Sequence, residues 1–113
     1  MKKGKIVLVK FPFTDFSSTK RRPALVVSEY DKESRDLIVA FISSNTTNEI
    51  SSSDILIWET DEDFPYTGLH KSSIIKLDKI MTIEKKLLAG ELGNISLKRL
   101  KEVNKKLRTI FGI

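Results

Sequence analysis

The sequence contains no cysteine and only one histidine in 113 residues. Without cysteine there is no disulfide framework, no thiolate zinc site and no cysteine nucleophile, and one histidine excludes a site built from several. No apolar run is long enough to span a membrane, and the basic residues 2–5 are not followed by the apolar core of a signal peptide. A glycine-rich phosphate loop is also missing. We therefore expect a cytoplasmic protein with no cofactor and no metal.

The length suits one domain with a modest core, and 40% hydrophobic and 31% charged residues are ordinary values for a globular protein. The charge is unevenly distributed along the chain: the net charge is +5 for residues 1–30, −7 for residues 31–65 and +7 for residues 66–113. Two basic ends around an acidic middle suit a polyanion site with an acidic rim. They equally suit a charge balance inside one domain.

Short stretches rich in β-branched and apolar residues predict five to seven strands. The predicted strands are residues 5–11, 24–28, 36–43, 54–58, 73–82 as one long strand or a bent pair, and a short strand at 87–92 followed by a turn at Gly93 and Asn94. Residues 97–111 have apolar side chains at helical spacing, with Ser96 suited to begin the helix and Gly112 to end it. The pattern indicates a mainly β protein: a small, strongly bent antiparallel sheet or barrel with a C-terminal helix.

The predicted helix has an apolar face and a basic face. The apolar face would consist of Leu97, Leu100, Val103, Leu107 and Ile110. The basic face would carry Lys98, Arg99, Lys101, Lys105, Lys106 and Arg108, with only Glu102 of opposite charge. A helix of this kind could lie on a membrane surface, but its narrow apolar stripe favours docking on the sheet with the basic face in water.

Two other groups of residues give weak signals for chemistry. Asp61, Glu62 and Asp63 are adjacent in the sequence and are expected to be solvated, so they favour a metal site only weakly. His70 could act as a general base, but a lone histidine is more often structural or exposed.

A stronger signal is the run of three cations, Lys20, Arg21 and Arg22, immediately before Pro23. Proline fixes its own φ and favours extended geometry in the preceding residue. Arg22 is therefore expected at a stiff junction between a polar loop, residues 12–22, and a strand. Its planar guanidinium could hold a phosphate bidentately there. Three cations in a loop can equally be a solvated surface.

Other cations and hydroxyls lie near the predicted strand ends. Arg22 ends the loop, Ser43 and Ser44 end the third predicted strand, and Lys76 lies on a later strand with the carboxylate of Asp78; a small barrel could bring these residues to one surface. Such a set can bind a phosphodiester and stabilise a pentacovalent transition state without a metal. RNA supplies its own nucleophile, the 2′-hydroxyl, so the protein need not provide one.

Several short motifs follow one another along nearly the whole chain. They are GKIVLV from Gly4, FPFTD from Phe11, KRRPALVVS from Lys20, VAFISSN from Val39, GL at Gly68, SIIKLDKIMTI from Ser73, and the helix pattern L-x-x-V-x-x-x-L-x-x-x-F-G. In this order and at these spacings, the motifs resemble those of the MazF/PemK/Kid family of toxins from bacterial toxin–antitoxin systems. The chain is thus expected to be a single toxin domain, residues 1–113.

The resemblance implies an SH3-like barrel, a homodimer, and metal-independent, sequence-selective cleavage of single-stranded RNA, in particular mRNA. The implied products are a 2′,3′-cyclic phosphate and a 5′-hydroxyl. The resemblance also implies a growth-inhibiting toxin that a cognate antitoxin neutralises. Operator DNA would be reached only through the antitoxin complex, and a membrane partner is not expected.

The implied site residues follow from matching positions. The family's key arginine before proline matches Arg22, and its threonine after the third strand matches Ser43, which keeps the hydroxyl. Lys76 and Asp78 fall where some members carry an arginine and an aspartate used in acid–base work. Six further residues are expected to bind RNA: Thr14, Ser17, Lys20, Arg21, Ser44 and Asn45.

The chain departs from the family pattern at two places. Met81 stands where many members have arginine, and the first loop lacks the histidine that some members carry. These departures leave the general acid and base open, and also a weakened or inactive nuclease. The alternative function is therefore a non-catalytic SH3-like barrel that binds nucleic acid or a peptide.

Overall fold

The computed structural model describes residues 2–11, 20–29, 33–47 and 49–113, with Phe11 described by its backbone only. A 3₁₀ turn, Lys85–Leu87, connects the last two strands. The elements are β1 Lys5–Phe11, β2 Lys20–Val26, β3 Asp36–Ser43, β4 Asp54–Ile57, α1 Phe64–Thr67, β5 Ser73–Glu84, β6 Leu88–Asn94 and α2 Leu97–Phe111.

All six strands belong to one antiparallel sheet in the order β4-β5-β3-β2-β1-β6. The prediction of a mainly β protein with a C-terminal helix is confirmed. Across the described ranges the edge strands β4 and β6 do not pair with each other, so the sheet is open.

β2 begins at Lys20, earlier than the predicted start at residue 24. The three cations belong to this strand because Lys20, Arg21 and Arg22 pair with the last three residues of β1. The expectation of a loop up to Arg22 was wrong because exposed polar side chains look like loop, whereas strand pairing satisfies the backbone whatever the side chains are. On its other side β2 pairs with β3 only at residues 24–26.

The central strands contain runs of consecutive apolar residues. Because successive side chains of a strand point to opposite faces, both faces of the sheet are buried. The first cluster lies between the sheet and α2. It contains Ile6, Leu25, Ile42 and Ile75 of the strands and Val103 of α2, among others. The second cluster lies on the opposite face and contains Val7, Val9, Ala24, Val26, Leu37, Val39 and Ile83. A side chain on β1, β2 or β3 can therefore be assigned to a face by its position in the strand.

β5 is one long strand with a bulge. Lys76 pairs with Phe41 of β3, and Ile80 pairs with the neighbouring Ala40, so residues 77–79 have no partner on β3. Such an insertion bends a strand and changes the direction of its side chains. Leu77 is buried here, while Asp78 and Lys79 are exposed.

The ends of α2 are as predicted. Ser96 Oγ accepts a hydrogen bond from the backbone nitrogen of Arg99 at 3.2 Å, and Gly112 ends the helix at φ 69°. Leu100, Val103 and Leu107 pack on the first cluster, but Leu97 is 78% exposed, so its assignment to the apolar face was wrong. In the part of the chain that the structure describes, no helix combines the length and the apolar character that crossing a membrane requires.

β6 continues through Gly93 and Asn94, which were expected to form a turn. A Cβ at Gly93 would overlap the carbonyl group of Tyr66, and a Cβ at Gly68, where φ is +72°, would overlap the carbonyl oxygen of Leu92. The two glycines therefore let the segment around Gly68 lie directly against the backbone of β6.

Candidate functional site

The Arg22 side chain is exposed on β2 and forms no hydrogen bond or ion pair with a described residue. Arg22 pairs with Val9, so it lies on the face of the second cluster, while Arg21 lies on the other face. Ala24 shares this face and pairs with Phe41, so Arg22 lies on the face of Ser43, two residues beyond the last pair between β2 and β3. The guanidinium is thus free to bind a ligand near the end of β3.

Ser43 ends β3, and its side chain is fixed by a short turn. Ser43 Oγ accepts a hydrogen bond from the backbone nitrogen of Asn45 at 3.1 Å. Asn45 Oδ1 in turn accepts from the backbone nitrogen and the hydroxyl of Thr47, at 3.1 and 2.7 Å. Because the Ser43 oxygen acts as an acceptor towards Asn45, its hydroxyl proton remains available to a ligand.

Lys76 lies on the same face of the sheet, since it pairs with Phe41 two residues before Ser43. Its ammonium donates a hydrogen bond to Asp54 Oδ2 at 3.0 Å, and its side chain is 26% exposed. Arg22, Ser43 and Lys76 thus stand on the same face of the neighbouring strands β2, β3 and β5.

Asp78 does not pair with Lys76. It is exposed in the bulge of β5 and makes no hydrogen bond or ion pair with any residue in the described ranges. Met81 lies opposite Val39 and is 37% exposed, so it adds an apolar side chain to the face that carries Lys76.

Of the predicted RNA-binding residues, Lys20 shares the face of Arg22, and Arg21 lies on the opposite face of β2. Lys20 and Arg21 are exposed on β2, and Ser44 and Asn45 are exposed directly after β3. Thr14 and Ser17 lie outside the described residues.

Asp54 contacts the candidate site residue Lys76, a contact that sequence reasoning missed. Its carboxylate is fully buried, and Oδ2 accepts hydrogen bonds from the backbone nitrogen of Ser51 and from Lys76, both at 3.0 Å. Burial raises the pKa of Asp54, but the hydrogen bonds from Ser51 and Lys76 outweigh it and hold the pKa below 3.8. The available signal was a charged residue at the first position of an apolar strand.

A second group of charges lies at the start of α2. The Arg99 guanidinium contacts Asp63 and Asp61, each at 2.6 Å, and the carbonyl oxygen of Leu56 at 2.8 Å. The hydrogen bond from Arg99 lowers the pKa of Asp63, against the effect of burial. The predictions that Arg99 lies on a solvated face and that this acidic run is solvated were therefore wrong for Arg99, Asp61 and Asp63.

The Arg99 cluster borders a cleft of about 670 Å³ that is also lined by Glu62, Tyr66, Ser96, Lys98 and Glu102. The charges of the Arg99 cluster are paired with each other. Part of the negative charge of the acidic middle segment is therefore balanced inside the domain. No group of three histidine or carboxylate side chains is placed to hold a metal ion within residues 2–11, 20–29, 33–47 and 49–113. His70 is exposed.

Comparison with family models identifies one family for this chain. The family described as "PemK-like, MazF-like toxin of type II toxin-antitoxin system" matches residues 2–111. No curated protein matches the sequence.

Solved structures with the same fold include the Mycobacterium tuberculosis toxin MazF-mt6, with a TM-score of 0.75 at 17% identity over 96% of this chain and 97% of that one. An endoribonuclease in complex with its cognate antitoxin, from a mycobacterial species, gives 0.74 at 18% identity over 98% and 94%. A MazE–MazF complex from Deinococcus radiodurans gives 0.75 at 19% identity over 100% and 96%.

Proposed function

Because the chain belongs to the PemK-like, MazF-like toxin family of type II toxin–antitoxin systems, we propose that it is an endoribonuclease that cuts single-stranded mRNA without a metal ion. One arrangement carries the proposal: the exposed Arg22, the Ser43 hydroxyl and the Lys76 ammonium lie on one face of neighbouring strands. Two cations and a hydroxyl donor suit a phosphodiester, and no described carboxylate contacts Arg22.

In the proposed reaction the 2′-hydroxyl oxygen of RNA attacks the adjacent phosphorus. A 2′,3′-cyclic phosphate forms, and the 5′-oxygen of the next nucleotide leaves and is protonated to a 5′-hydroxyl. Arg22 binds the scissile phosphate, Ser43 donates a hydrogen bond to a non-bridging oxygen, and Lys76 adds a second positive charge. These contacts stabilise the extra negative charge of the pentacovalent transition state.

Proton transfer in this scheme needs a base for the 2′-hydroxyl and an acid for the leaving oxygen. We assign Asp78 as the candidate base, because its exposed carboxylate has no described partner and lies two residues from Lys76. The leaving 5′-oxygen takes its proton from solvent water. Lys20, Arg21, Ser44 and Asn45, together with Thr14 and Ser17, would hold the nucleotides on either side of the scissile bond. The two cations among them supply attraction that weakens with salt.

The proposal includes protein partners and a location. We propose a homodimer whose two copies form the RNA groove together, and an acidic antitoxin peptide that covers the exposed cations of β2. Two of the similar structures contain an antitoxin bound to its own toxin. Operator DNA would be reached only through the antitoxin complex, and the toxin would act on mRNA in the cytoplasm.

RNA cleavage in excess EDTA tests the reaction directly. The purified protein is incubated with a mixture of single-stranded RNAs and with the same sequences fully methylated at the 2′-oxygens. We expect cleavage of the unmodified RNA only, with cyclic phosphate and 5′-hydroxyl ends. Activity that disappears on chelation and returns with a divalent ion would overturn the metal-free mechanism. Cleavage of the methylated RNA would overturn the role of the 2′-hydroxyl.

The alternative, a nucleic-acid- or peptide-binding domain without catalysis, has one observation in its favour. Met81 places an apolar side chain on the face that carries Lys76. A face weakened in this way could bind RNA without cutting it. Binding of single-stranded RNA with no cleavage of any sequence in a random library would establish this alternative.

A further inference from the structure

We propose that Asp54 is the positioning residue for Lys76, and that Lys106 of α2 fixes the turn from which Asp54 acts. The inference rests on the proposed function, in which Lys76 contacts the RNA phosphate. Sequence matching would make Asp78 the partner of Lys76 on β5. The inference gives that role to Asp54 instead.

The contact itself is well suited to this role. A lysine side chain is a flexible stem with a compact charge, and it holds one direction only when something anchors it. Asp54 is such an anchor, because its carboxylate is fully buried while the Lys76 side chain is 26% exposed. One of the three ammonium donors is used at 3.0 Å, which leaves two for a phosphate.

Asp54 is held in place at its backbone as well as at its carboxylate. The backbone nitrogen of Asp54 donates to the carbonyl oxygen of Ser51 at 3.1 Å, while the Ser51 nitrogen donates back to Oδ2 at 3.0 Å. Lys106 Nζ crosses from α2 and donates to the carbonyl oxygens of Ser52 and Asp54, at 2.7 and 3.1 Å. The helix thus fixes the turn that fixes the carboxylate.

The second oxygen of Asp54 points to a function beyond stability. Oδ1 is buried and has no hydrogen-bond partner among the described residues. A buried carboxylate oxygen without a partner costs stability, and a buried ion pair is often no more stable than apolar residues of the same size. Because the buried Asp54 charge costs stability, its presence is better explained by the direction that it gives to the partly exposed Lys76 side chain.

A positioning role predicts a particular kinetic signature for Asp54→Asn. Lys76 keeps its charge, so RNA binding persists and KM stays the same or falls slightly because a nearby negative charge is gone. The direction of the ammonium is lost, and misplacement of a catalytic group by about 1 Å typically costs on the order of 100-fold in rate. We therefore expect kcat to fall roughly 10- to 100-fold with little change in KM.

A double-mutant cycle separates positioning from a merely structural effect. Asp54→Asn is compared in the wild type and in the Lys76→Met background, with circular dichroism and thermal unfolding as checks on the fold. We expect the roughly 10-fold or larger loss of kcat only where Lys76 is present, and less than about a twofold loss in Lys76→Met. Equal losses in both backgrounds would show a structural role and overturn the proposal.

Lys106 and Lys105 form a matched pair for the second half of the proposal. Both line a cleft of about 410 Å³ beside Ser52 and Ser53, but only Lys106 bonds to the turn. Lys106→Ala leaves the Asp54 carboxylate intact, so it also tests the idea if Asp54→Asn fails to fold. We expect kcat to fall several-fold in Lys106→Ala and to stay unchanged in Lys105→Ala.

The outcomes for the two proposals are distinct. A folded wild-type protein that cuts no RNA overturns the proposed function and this inference with it. An active wild type whose kcat is unchanged by Asp54→Asn and by Lys106→Ala overturns only the inference.

Discussion

Arg99 of α2 holds Asp63 by two parallel contacts, Nε to Oδ2 at 2.6 Å and Nη2 to Oδ1 at 3.2 Å. This bidentate geometry is among the stronger arrangements of an ion pair. The Arg99 side chain is only 14% exposed, so water screens the contact less than it would at the surface. The pair therefore fastens α2 to the segment that precedes α1.

Removing the guanidinium should be costly to stability. Arg99→Ala removes the guanidinium donor from Asp61, Asp63 and the carbonyl oxygen of Leu56, and we expect a loss of about 2–3 kcal/mol in the free energy of unfolding. Urea unfolding measures it. The neighbouring Lys98 is exposed, and Lys98→Ala should change the same quantity by less than about 0.5 kcal/mol. Similar losses for the two variants would contradict the assignment.

The depressed pKa values of Asp54 and Asp63 predict a loss of stability in acid. In the folded protein both pKa values lie below 3.8, so near that pH the unfolded chain binds more protons than the folded one. Their contribution to the free energy of unfolding is therefore complete only about one to two pH units above the ordinary aspartate pKa, and it is lost progressively as the pH falls through that pKa and the lower folded-state values. Urea unfolding as a function of pH should show a shallower acid slope for Asp63→Asn than for the wild type. An unchanged slope would be inconsistent with the lowered pKa.

Arg22 and Arg21 should differ sharply in their effect on RNA cleavage, although they are adjacent and both exposed. Strand alternation places only Arg22 on the face of Ser43 and Lys76, so Arg22→Ala should lower the cleavage rate on the order of 100-fold or more. Arg22→Lys should fail as well, because lysine lacks the planar fork. Arg21→Ala should only weaken binding, and more so at low salt.

Single-turnover cleavage rates, with circular dichroism to check the fold, measure the effect of these arginine substitutions. Near-normal rates for Arg22→Lys, or equal damage from the two alanine variants, would place the site elsewhere.

Ser43 offers a test of the hydroxyl. Ser43→Ala removes both the acceptor for the Asn45 nitrogen and the donor that we assign to the phosphate, so the cleavage rate should fall by about 10- to 100-fold. Ser43→Thr keeps the hydroxyl and should retain most of the activity. The two variants are compared by cleavage rate at saturating RNA. If threonine is as damaging as alanine, the hydroxyl is not the group that matters.

Gly93 of β6 lies against the segment around Gly68, and Gly90 of the same strand serves as its control. Gly93→Ala would push a methyl group into the carbonyl group of Tyr66, and we expect about 3 kcal/mol or more of lost stability. A methyl group at Gly90 would meet no atom of a described residue within 4 Å beyond its chain neighbours, and Gly90→Ala should be neutral or stabilising by up to about 1 kcal/mol. Urea unfolding of both variants measures the difference, and a neutral Gly93→Ala would contradict the close approach.

Sequence patterns predicted those features that depend on neighbouring residues. The span of β1, the span of β3 and the Ser96 cap follow from local alternation and capping, and the structure confirms them. The limits of β2 were missed because they depend on pairing with a separate strand.

The charged partners were missed for the same reason. Lys76 and Asp54 are brought together by the pairing of β5 with β4, and no spacing in the sequence distinguishes Asp54 from Asp78 as the partner. Arg99 looked like one more cation on a helix surface because its acidic partners lie far back in the chain. The matches of Arg22, Ser43, Lys76 and Asp78 to catalytic roles stay predictions.

The pairing of β1 with β6 has a consequence for folding. Lys5 pairs with Asn94, so the sheet is completed only when segments from opposite parts of the chain meet. Contacts between residues so distant in sequence carry a large loop-closure entropy, and proteins rich in such contacts fold on millisecond to second timescales. Until β6 arrives, β1 has an unpaired edge that can associate with other chains. We therefore expect aggregation during refolding to depend on how fast β6 docks.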